Sequence, residues 1–248
     1  MNRYSHPDVA ALVLAAGMGK RMNSDLPKVL HPMVGRPLLA HVLETLDALQ
    51  VGRKVVVIGH QRERVRAAFA DRDDLEWAVQ AEQRGTGHAC MMAGPALGGF
   101  GGTLLVVCGD TPLLTPGTLD ALLRTHAASG AAVTVLSMRL PDPKGYGRIV
   151  RTPDGAGIER IVEEKDATPA ERMLDEVNSG IYAFSYPALA GVLSSLTATN
   201  SQGEYYLTDT VSLLQARGRK AAVVCAVTAR PARMLLARLR LVAPTAVQ

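Results

Sequence analysis

The chain has 248 residues, of which 48% are apolar and 20% are charged. This apolar content is enough to build the core of one large domain or two small ones, and it excludes an intrinsically disordered protein. No run approaches the roughly eighteen apolar residues of a transmembrane helix, so we expect neither a membrane span nor a membrane partner.

The net charge of +4 comes from the end of the chain. Residues 230–248 contain four arginines and no acidic residue, whereas residues 1–229 contain 23 basic and 23 acidic residues. Because a nucleic-acid-binding domain needs basic charge clustered over its folded surface, we expect no nucleic-acid partner. The three cysteines, Cys90, Cys108 and Cys225, lack the spacing of metal or redox motifs, which indicates buried thiols in a reducing cytoplasm.

In the first 139 residues, short apolar runs alternate with segments of helical periodicity. The pattern predicts strands at 9–14, 54–58, 77–79, 103–107 and 132–136, and helices at 37–49, 63–69, 87–97 and 118–128. Strands that alternate with helices are typical of an α/β fold, in which a mainly parallel sheet carries helices on both faces.

After residue 139 the pattern changes to strands joined by loops. Strands are predicted at 148–151, 158–163 and 177–184, helices at 187–196 and 205–216, and a last strand at 221–227. We therefore predict one domain over residues 1–229. Its first half, about 1–139, resembles nucleotide-binding folds, its second half is about 140–229, and residues 230–248 form an atypical basic tail.

A glycine-rich loop follows the first predicted strand and reads LAAGMGKRM over residues 14–22. Glycines let backbone N–H groups approach an anion closely, and the basic residues add charge for phosphates. The dinucleotide-binding motif does not fit, because Met22 stands at its third glycine. The P-loop does not fit either, because Arg21 follows Lys20 where serine or threonine is needed.

The loop and the following string LPK resemble the signature of sugar nucleotidyltransferases. Further matching strings occur in order along the chain, so that the set covers residues 14–22, 24–31, 80–89, 109–113, 145–149, 162–167, 176–182 and 203–209. The strings QRGTGHA and GEYYLTD point within that superfamily to one family. The chain resembles the N-terminal uridylyltransferase (pyrophosphorylase) domain of the bacterial bifunctional enzymes that make UDP-N-acetylglucosamine, over about residues 9–227.

This resemblance implies a Rossmann-like nucleotidyltransferase fold with a mixed, mainly parallel sheet of roughly seven strands. It implies a cytoplasmic enzyme of peptidoglycan precursor synthesis that transfers the uridylyl group of UTP to N-acetylglucosamine-1-phosphate, with pyrophosphate as the second product. The sugar phosphate would attack the α-phosphorus in line, assisted by Mg²⁺. Two alternatives stay open: a related sugar-1-phosphate nucleotidyltransferase, and a catalytically impaired protein that binds nucleotide sugars.

The resemblance also implies a set of site residues. Arg21 and Lys28 would be catalytic, because cations offset the charge of the reacting phosphates. Asp110, which follows a buried apolar run, would bind Mg²⁺, a hard cation that prefers oxygen ligands. The nucleotide would be bound by Leu14, Ala15, Ala16, Gly17, Gly19, Gln80, Gly85, Thr86 and Gly109, and the sugar by Gly147, Glu163 and Asn178.

Some of these residues have simpler interpretations. Gln80 is expected to hydrogen-bond the edge of the uracil base. Thr86 is expected to start a helix whose N-terminus favours anions, although N-capping alone is an alternative role for Thr86. Asn178 and Gly147 also suit ordinary turns. We predict a structural role for His88 and a solvated charge run at residues 164–166.

The chain departs from the family pattern at three places. Cys108 stands where some relatives have a tyrosine that contacts the ribose. No asparagine occurs after Asn200, whereas relatives supply a second Mg²⁺ ligand from an asparagine after the last strand. We therefore expect weaker metal dependence and reduced turnover. The hexapeptide-repeat acetyltransferase domain of the relatives is absent from the sequence, so acetyl transfer and a β-helix trimer are not expected, and the oligomeric state stays open.

Overall fold

The structure, a computed structural model, describes residues 4–17 and 24–226. Nine of the strands in these ranges form one sheet, and two form a small hairpin. The strands are β1 (His6–Leu14), β2 (Pro32–Met33), β3 (Arg36–Pro37), β4 (Val51–Ile58), β5 (Leu75–Val79), β6 (Thr103–Cys108), β7 (Val133–Arg139), β8 (Arg148–Arg151), β9 (Ile158–Val162), β10 (Glu176–Ser185) and β11 (Ala221–Cys225). The helices are α1 (Leu38–Ala48), α2 (Arg62–Ala67), α3 (Thr86–Met92), α4 (Pro116–Ser129), α5 (Pro169–Arg172), α6 (Tyr186–Leu193) and α7 (Asp209–Ala216).

The main sheet is mixed and mainly parallel, as predicted. Its order is β11-β7-β10-β6-β1-β4-β5, and the hairpin of β8 and β9 continues from β10. Strand β1 pairs in parallel with β4 and β6, β4 with β5, and β7 with β11, whereas β10 runs antiparallel between β6 and β7. The strand order reverses at β1, since β4 lies on one side of it and β6 on the other.

Helices cover both faces of the sheet. Neighbouring residues of a strand point to opposite faces, so each strand supplies side chains to two cores. Leu12 of β1 belongs to a core cluster with α3, α6 and α7. Val13, the next residue, belongs to a second cluster with α1, α2 and α4. This alternation confirms the expectation of an α/β layer architecture with two buried faces.

The structure contains the β2–β3 hairpin and α5, which were not predicted, and its main sheet has nine strands where roughly seven were expected. It also differs from the prediction at the bounds of two helices. The helix predicted at 87–97 ends at Met92, and a short 3₁₀ turn follows at Pro95–Leu97, where proline lacks the N–H that would continue the helix. The helix predicted at 205–216 begins only at Asp209, because the residues before it pair with another part of the chain. Throughout residues 4–17 and 24–226, no helix has the length and apolar character needed to cross a membrane.

Candidate active site

The carboxyl ends of β1, β4, β5 and β6 meet at one edge of the sheet. The N–H of Ala15 donates to Val57 O at 2.9 Å, and the N–H of Gly109 donates to Leu14 O at 2.9 Å. Ligands of open α/β sheets bind at this edge, where the strand order reverses. The predicted nucleotide residues at the end of β1 and after β6 therefore share one crevice.

Close backbone packing joins this edge to the end of β5. The N–H of Gln80 donates to Ile58 O at 2.8 Å. A Cβ atom at Gly59 would lie 2.9 Å from Ala16 O and 3.0 Å from Gln80 O, so only glycine allows this approach. Sequence reasoning missed Gly59, although its position directly after the apolar run 54–58 was a signal of a tight turn.

A lysine and an aspartate form an ion pair at the same edge. Lys28 begins the 3₁₀ turn Lys28–Leu30, and Asp110 lies two residues beyond the end of β6. Lys28 Nζ contacts Asp110 Oδ2, and the two side chains are 38% and 26% exposed. The structure thus brings together a predicted phosphate-binding cation and the predicted metal ligand.

The carboxylate of Asp110 suits a metal that arrives with phosphates better than a metal held by protein alone. In the described part of the chain, no three or more His, Cys, Asp or Glu side chains are grouped to hold a metal ion. Mg²⁺ commonly binds one or two carboxylates and fills its other positions with substrate phosphates and water. A single carboxylate facing the crevice fits that donor set.

Gln80 has protein partners at its amide nitrogen. Its side chain is buried, and Nε2 donates to Gly85 O at 3.0 Å and lies 3.1 Å from His88 Nδ1. A contact with a base would therefore use Oε1 or require Nε2 to leave these partners. The arrangement gives His88 the structural role that the sequence predicted.

Residues 204–208, which we call the 204–208 segment, lie against the loop before α3. The N–H of Tyr205 donates to Arg84 O and the N–H of Gly87 donates to Tyr205 O, both at 2.8 Å. Gly85 has φ of +101°, and a Cβ atom there would lie 2.5 Å from Tyr205 O. Both the positive φ and the contact with Tyr205 therefore require glycine at position 85.

Thr86 is the first residue of α3, and Gly85 is the N-cap. The prediction that Thr86 starts a helix is confirmed, but the alternative that it caps the helix is wrong. Its Oγ1 accepts a hydrogen bond from the N–H of Leu207 at 3.1 Å. The two sequence strings that distinguish the family, QRGTGHA and GEYYLTD, are thus in direct contact.

The three predicted sugar residues lie together in the second half of the chain. The N–H of Asn178 donates to Gly147 O at 2.8 Å. A Cβ atom at Gly147 would lie 3.4 Å from Glu163 Oε2, so backbone and carboxylate are neighbours. These residues come from β10, from the loop before β8 and from the end of β9.

Glu163 is held by a residue to which sequence reasoning gave no role. Thr208 Oγ1 donates to Glu163 Oε1 at 3.1 Å. Burial raises the pKa of Glu163, the hydrogen bond from Thr208 lowers it, and the negative charges of Asp209, Asp166 and Glu204 raise it. The only sequence signal for Thr208 was its place in the string 203–209.

Asn178 lies at a bulge in β10. Its Nδ2 donates to the Tyr182 hydroxyl at 2.7 Å, and its Oδ1 accepts from the N–H of Gly180 at 3.0 Å. The pairing of β10 with β7 shifts register here. The turn interpretation of Asn178 is therefore confirmed, and its role in a sugar site stays a prediction.

Cys108 connects β6 to the same bulge. Its Sγ donates to Gly180 O at 3.7 Å, and burial raises the thiol pKa to about 12. The side chain is therefore a neutral thiol at ordinary pH. Tyr146, which precedes Gly147, has a raised pKa because of burial and of the charge of Asp110. Cys108 and Tyr146 are thus both near Asp110, and Cys108 also contacts the bulge of β10.

The predicted solvated charge run is only partly correct. Lys165 and Asp166 are exposed, although Asp166 also accepts a hydrogen bond from the Tyr206 hydroxyl at 3.0 Å. Glu164 contradicts the prediction, because it forms an ion pair with the buried Arg148. A β-hairpin brings these two charges together, which their sequence positions did not indicate.

Comparison with known proteins identifies the family. Residues 11–174 match the model of the MobA-like NTP transferase domain. The chain belongs to this family of NTP transferase domains. Similar curated proteins include the bifunctional protein GlmU of Pelobacter propionicus, 50% identical over 85% of this chain and 46% of the relative, and that of Streptomyces avermitilis, 47% identical over 85% and 44%. The chain therefore spans about half the length of these curated relatives.

A solved structure of UDP-glucose pyrophosphorylase complexed with UDP-glucose shares the fold of this NTP transferase domain. Its TM-score is 0.69 at 18% identity, over 86% of this chain and 89% of that one. The predicted nucleotidyltransferase fold is thereby confirmed, and family membership makes the chain a nucleotidyltransferase domain. Two predicted site residues of this domain, Gly19 and Arg21, and the whole basic tail lie outside the described residues.

Proposed function

We propose that this domain transfers the uridylyl group of UTP to N-acetylglucosamine-1-phosphate, giving UDP-N-acetylglucosamine and pyrophosphate. One observation carries the proposal. The Lys28–Asp110 ion pair lies at the carboxyl edge of the parallel strands, Gly147 and Glu163 are neighbours in the second half, and Tyr146, next to Gly147, is near enough to Asp110 for that charge to raise its pKa. Sequence identity of 47–50% to bifunctional GlmU proteins supports the choice of substrates.

The phosphate side of the proposed reaction depends on charge. Both reactants are strongly anionic, so cations are needed to bring the sugar phosphate against the α-phosphorus of UTP. Lys28 would neutralise phosphate charge in the crevice, and Arg21 of the glycine-rich loop is expected to do the same. Phosphoryl-type transfer relies mainly on such positioning and electrostatic stabilisation, and no covalent enzyme intermediate is required.

The nucleotide side of the proposed site depends on backbone. Ala15, Ala16 and Gly109 present main chain at the ends of β1 and β6, where a flat base and its ribose can approach closely. Gln80 follows β5 at the same edge, and its side-chain oxygen Oε1 would meet the uracil edge. The absence of a side chain at Gly59 allows this close packing of the backbone at the edge of the sheet.

The sugar side of the proposed site depends on hydrogen-bonding side chains. Glu163, oriented by Thr208, would accept hydrogen bonds from sugar hydroxyls, and Asn178 would add an amide contact. The carbonyl of Gly147 is already bonded to the N–H of Asn178. Its N–H is therefore the group that we expect to meet the sugar.

Asp110 would hold Mg²⁺ together with the substrate phosphates, and the metal would supply further neutralisation of phosphate charge. The sequence after residue 226 contains no asparagine to act as a second protein ligand. This feature favours a second candidate, a protein that binds nucleotide sugars with impaired turnover. The setting that the resemblance implies, precursor synthesis for peptidoglycan in the cytoplasm, is part of the same proposal.

The deciding experiment measures pyrophosphate release from UTP and N-acetylglucosamine-1-phosphate, with and without Mg²⁺. Release that needs both substrates and the metal, and that is lost in Asp110→Asn, would establish the proposed reaction. A panel with glucose-1-phosphate and dTTP tests the related nucleotidyltransferases. Binding of UDP-N-acetylglucosamine without any release in excess Mg²⁺ would instead establish the impaired binding form.

A further inference from the structure

A buried ion pair lies directly behind the sugar-binding residues. Arg148 is 1% exposed, and its Nη1 lies 2.7 Å from Glu164 Oε2. Arg148 follows Gly147 in the chain, and Glu164 follows Glu163. The pair therefore joins the two loops that bring the backbone of Gly147 and the carboxylate of Glu163 together.

Arg148 also binds the backbone on both sides of this junction. Its Nη1 donates to Tyr146 O, the carbonyl of the peptide bond to Gly147, and its Nη2 donates to Arg172 O at 3.3 Å. Arg172 Nε in turn donates to Glu164 O at 3.4 Å. The guanidinium thus fixes the peptide of Gly147 relative to Glu164 and the end of α5.

Stability alone does not account for this pair. Removing two charges from water costs several kcal/mol per ion, and apolar side chains of similar volume often give equal or greater stability. Arg148 Nε is buried without a hydrogen-bond partner in the described part of the chain, which adds to the cost. Glu164 Oε2 is also buried without a hydrogen-bond partner in the described residues, so its 2.7 Å contact with Arg148 is purely ionic. What the ion pair provides, and apolar side chains cannot, is a charge attraction between the two loops, while the hydrogen bonds of Arg148 to backbone carbonyls supply the direction.

We propose that the Arg148–Glu164 ion pair is a positioning device that sets the spacing between Gly147 and Glu163 and thereby the affinity for the sugar phosphate. The inference rests on the proposed function, which assigns the sugar to these two residues. Arg148 and Glu164 touch no substrate in this scheme. They act through the Tyr146–Gly147 peptide and through the backbone of the loop after β9.

The test replaces the pair by apolar residues in the double variant Arg148→Met/Glu164→Leu. We expect a folded protein of near-native Tm, because no unpaired charge is left in the interior. The KM for N-acetylglucosamine-1-phosphate should rise about tenfold, since small displacements of binding groups are costly, while the KM for UTP stays within about twofold. A folded double variant with native KM values for both substrates overturns the proposal.

An exposed ion pair in the same half of the molecule gives the matched control. Arg139 Nη1 lies 2.7 Å from Asp175 Oδ1, and both side chains are 56% exposed. Arg139 Nη2 also lies 3.6 Å from Oε2 of the buried Glu176, so the control keeps Arg139 and changes only its exposed partner. The variant Asp175→Asn should change neither the Tm nor either KM. An equal rise in the sugar-phosphate KM in this control would also overturn the proposal, because the effect would then not be specific to Arg148 and Glu164.

Glu164→Gln keeps the experiment decisive if the double variant does not fold. Glu164 is 30% exposed, so the amide can be accommodated, but Arg148 is left as an unpaired buried cation. The folded fraction is therefore measured beside both KM values. A rise of the sugar-phosphate KM by about threefold or more, without a change for UTP, supports the proposal. A native sugar-phosphate KM contradicts it.

Amide hydrogen exchange tests the positioning role of Arg148 and Glu164 independently of the proposed reaction. If the unaltered protein releases no pyrophosphate with any sugar phosphate tested, the proposed function fails. The positioning role is then measured at the N–H of Asn178, which donates to Gly147 O. Faster exchange there in whichever variant folds, with unchanged exchange at Val106 in the sheet centre, supports the device. Equal exchange at Asn178 overturns it.

Discussion

The two sides of the crevice are built in different ways. On the proposed nucleotide side, parallel strands end at one edge, and hydrogen bonds join the backbones of Ala15 and Gly109 to the neighbouring strands. On the sugar side, an antiparallel hairpin and a bulged strand present Glu163 and Asn178, each oriented by another side chain. Backbone pairing between parallel strands thus builds the first side, whereas side-chain hydrogen bonds build the second, one of them over 45 positions and the other over four.

The largest effect should come from the charged pair on the nucleotide side. We expect Lys28→Ala to lower kcat/KM by about 10³-fold, the lower range for a cation in phosphoryl transfer. Stability should change by less than about 1 kcal/mol, because a partly exposed ion pair contributes little. Pyrophosphate release and chemical denaturation measure the two quantities.

Arg36→Ala is the control for Lys28→Ala. It breaks a 2.9 Å ion pair with Glu44 whose side chains are about half exposed, near the same loop. Its kcat/KM should be native. A similar loss of activity in both variants would mean that general surface charge, rather than Lys28 itself, matters.

A smaller effect, confined to one substrate, is expected on the sugar side. Glu163→Gln removes a charged acceptor, and hydrogen bonds to charged groups are worth about 1.5–3 kcal/mol, so kcat/KM for the sugar phosphate should fall about 10- to 100-fold. The KM for UTP should hardly change. Glu159→Gln, on the exposed face of the same strand β9, should leave both parameters native. Equal losses for UTP and sugar phosphate would remove the distinction between the two sides.

The contact between the two sides can be tested at a glycine. Gly85→Ala forces a side chain into φ of +101° and against Tyr205 O, so we expect a loss of about 2–4 kcal/mol of unfolding free energy. Gly155→Ala also has positive φ, +69°, but meets no atom within 4 Å, and should lose about 1 kcal/mol. Urea denaturation compares them. Equal losses would show that conformation alone, and not the contact with the 204–208 segment, requires Gly85.

The smallest effect should appear as a change of pH dependence. The ionised form of Glu163 accepts hydrogen bonds, so sugar-phosphate affinity should fall as pH drops through its raised pKa. Thr208 lowers that pKa, so Thr208→Val should raise it further and move the acid limb of kcat/KM to higher pH. The affinity itself should weaken by about three- to tenfold.

Thr208→Ser keeps the hydroxyl and should restore the native acid limb. Three carboxylates face Glu163, those of Asp209, Asp166 and Glu204, and they stay the same in both variants. The neutral, buried hydroxyl of Tyr182 also stays the same. An acid limb that does not move in Thr208→Val would show that Thr208 does not control the carboxylate.

The sequence predicted the nucleotide side better than the sugar side, for a physical reason. Apolar runs such as 54–58 and 103–107 predict buried strands, and parallel strands place their carboxyl ends at one edge. Lys28 and Asp110 could therefore be expected to meet there. Gly19 and Arg21 lie outside the described residues, so their roles stay predictions.

On the sugar side, sequence position carried little information about contacts. Thr208 reaches Glu163 across 45 residues, and Arg148 reaches Glu164 only because a hairpin folds back. The helix predicted to start at 205 failed for the same reason, since its first turn is replaced by pairing with Arg84. Local periodicity cannot report that a distant segment competes for backbone hydrogen bonds.

The docking of the 204–208 segment on the loop before α3 has a consequence for how the molecule assembles. Leu207 and Thr86 are 121 positions apart, so their hydrogen bond closes a long loop whose entropy must be offset by other contacts. The contact between this segment and the loop before α3 therefore forms only after residue 207 of the 248 has been synthesised. A fragment of residues 1–139 would keep β1, β4, β5 and β6, whose carboxyl ends meet at one edge, but it would lack the 204–208 segment and also β10, which separates β6 from β7.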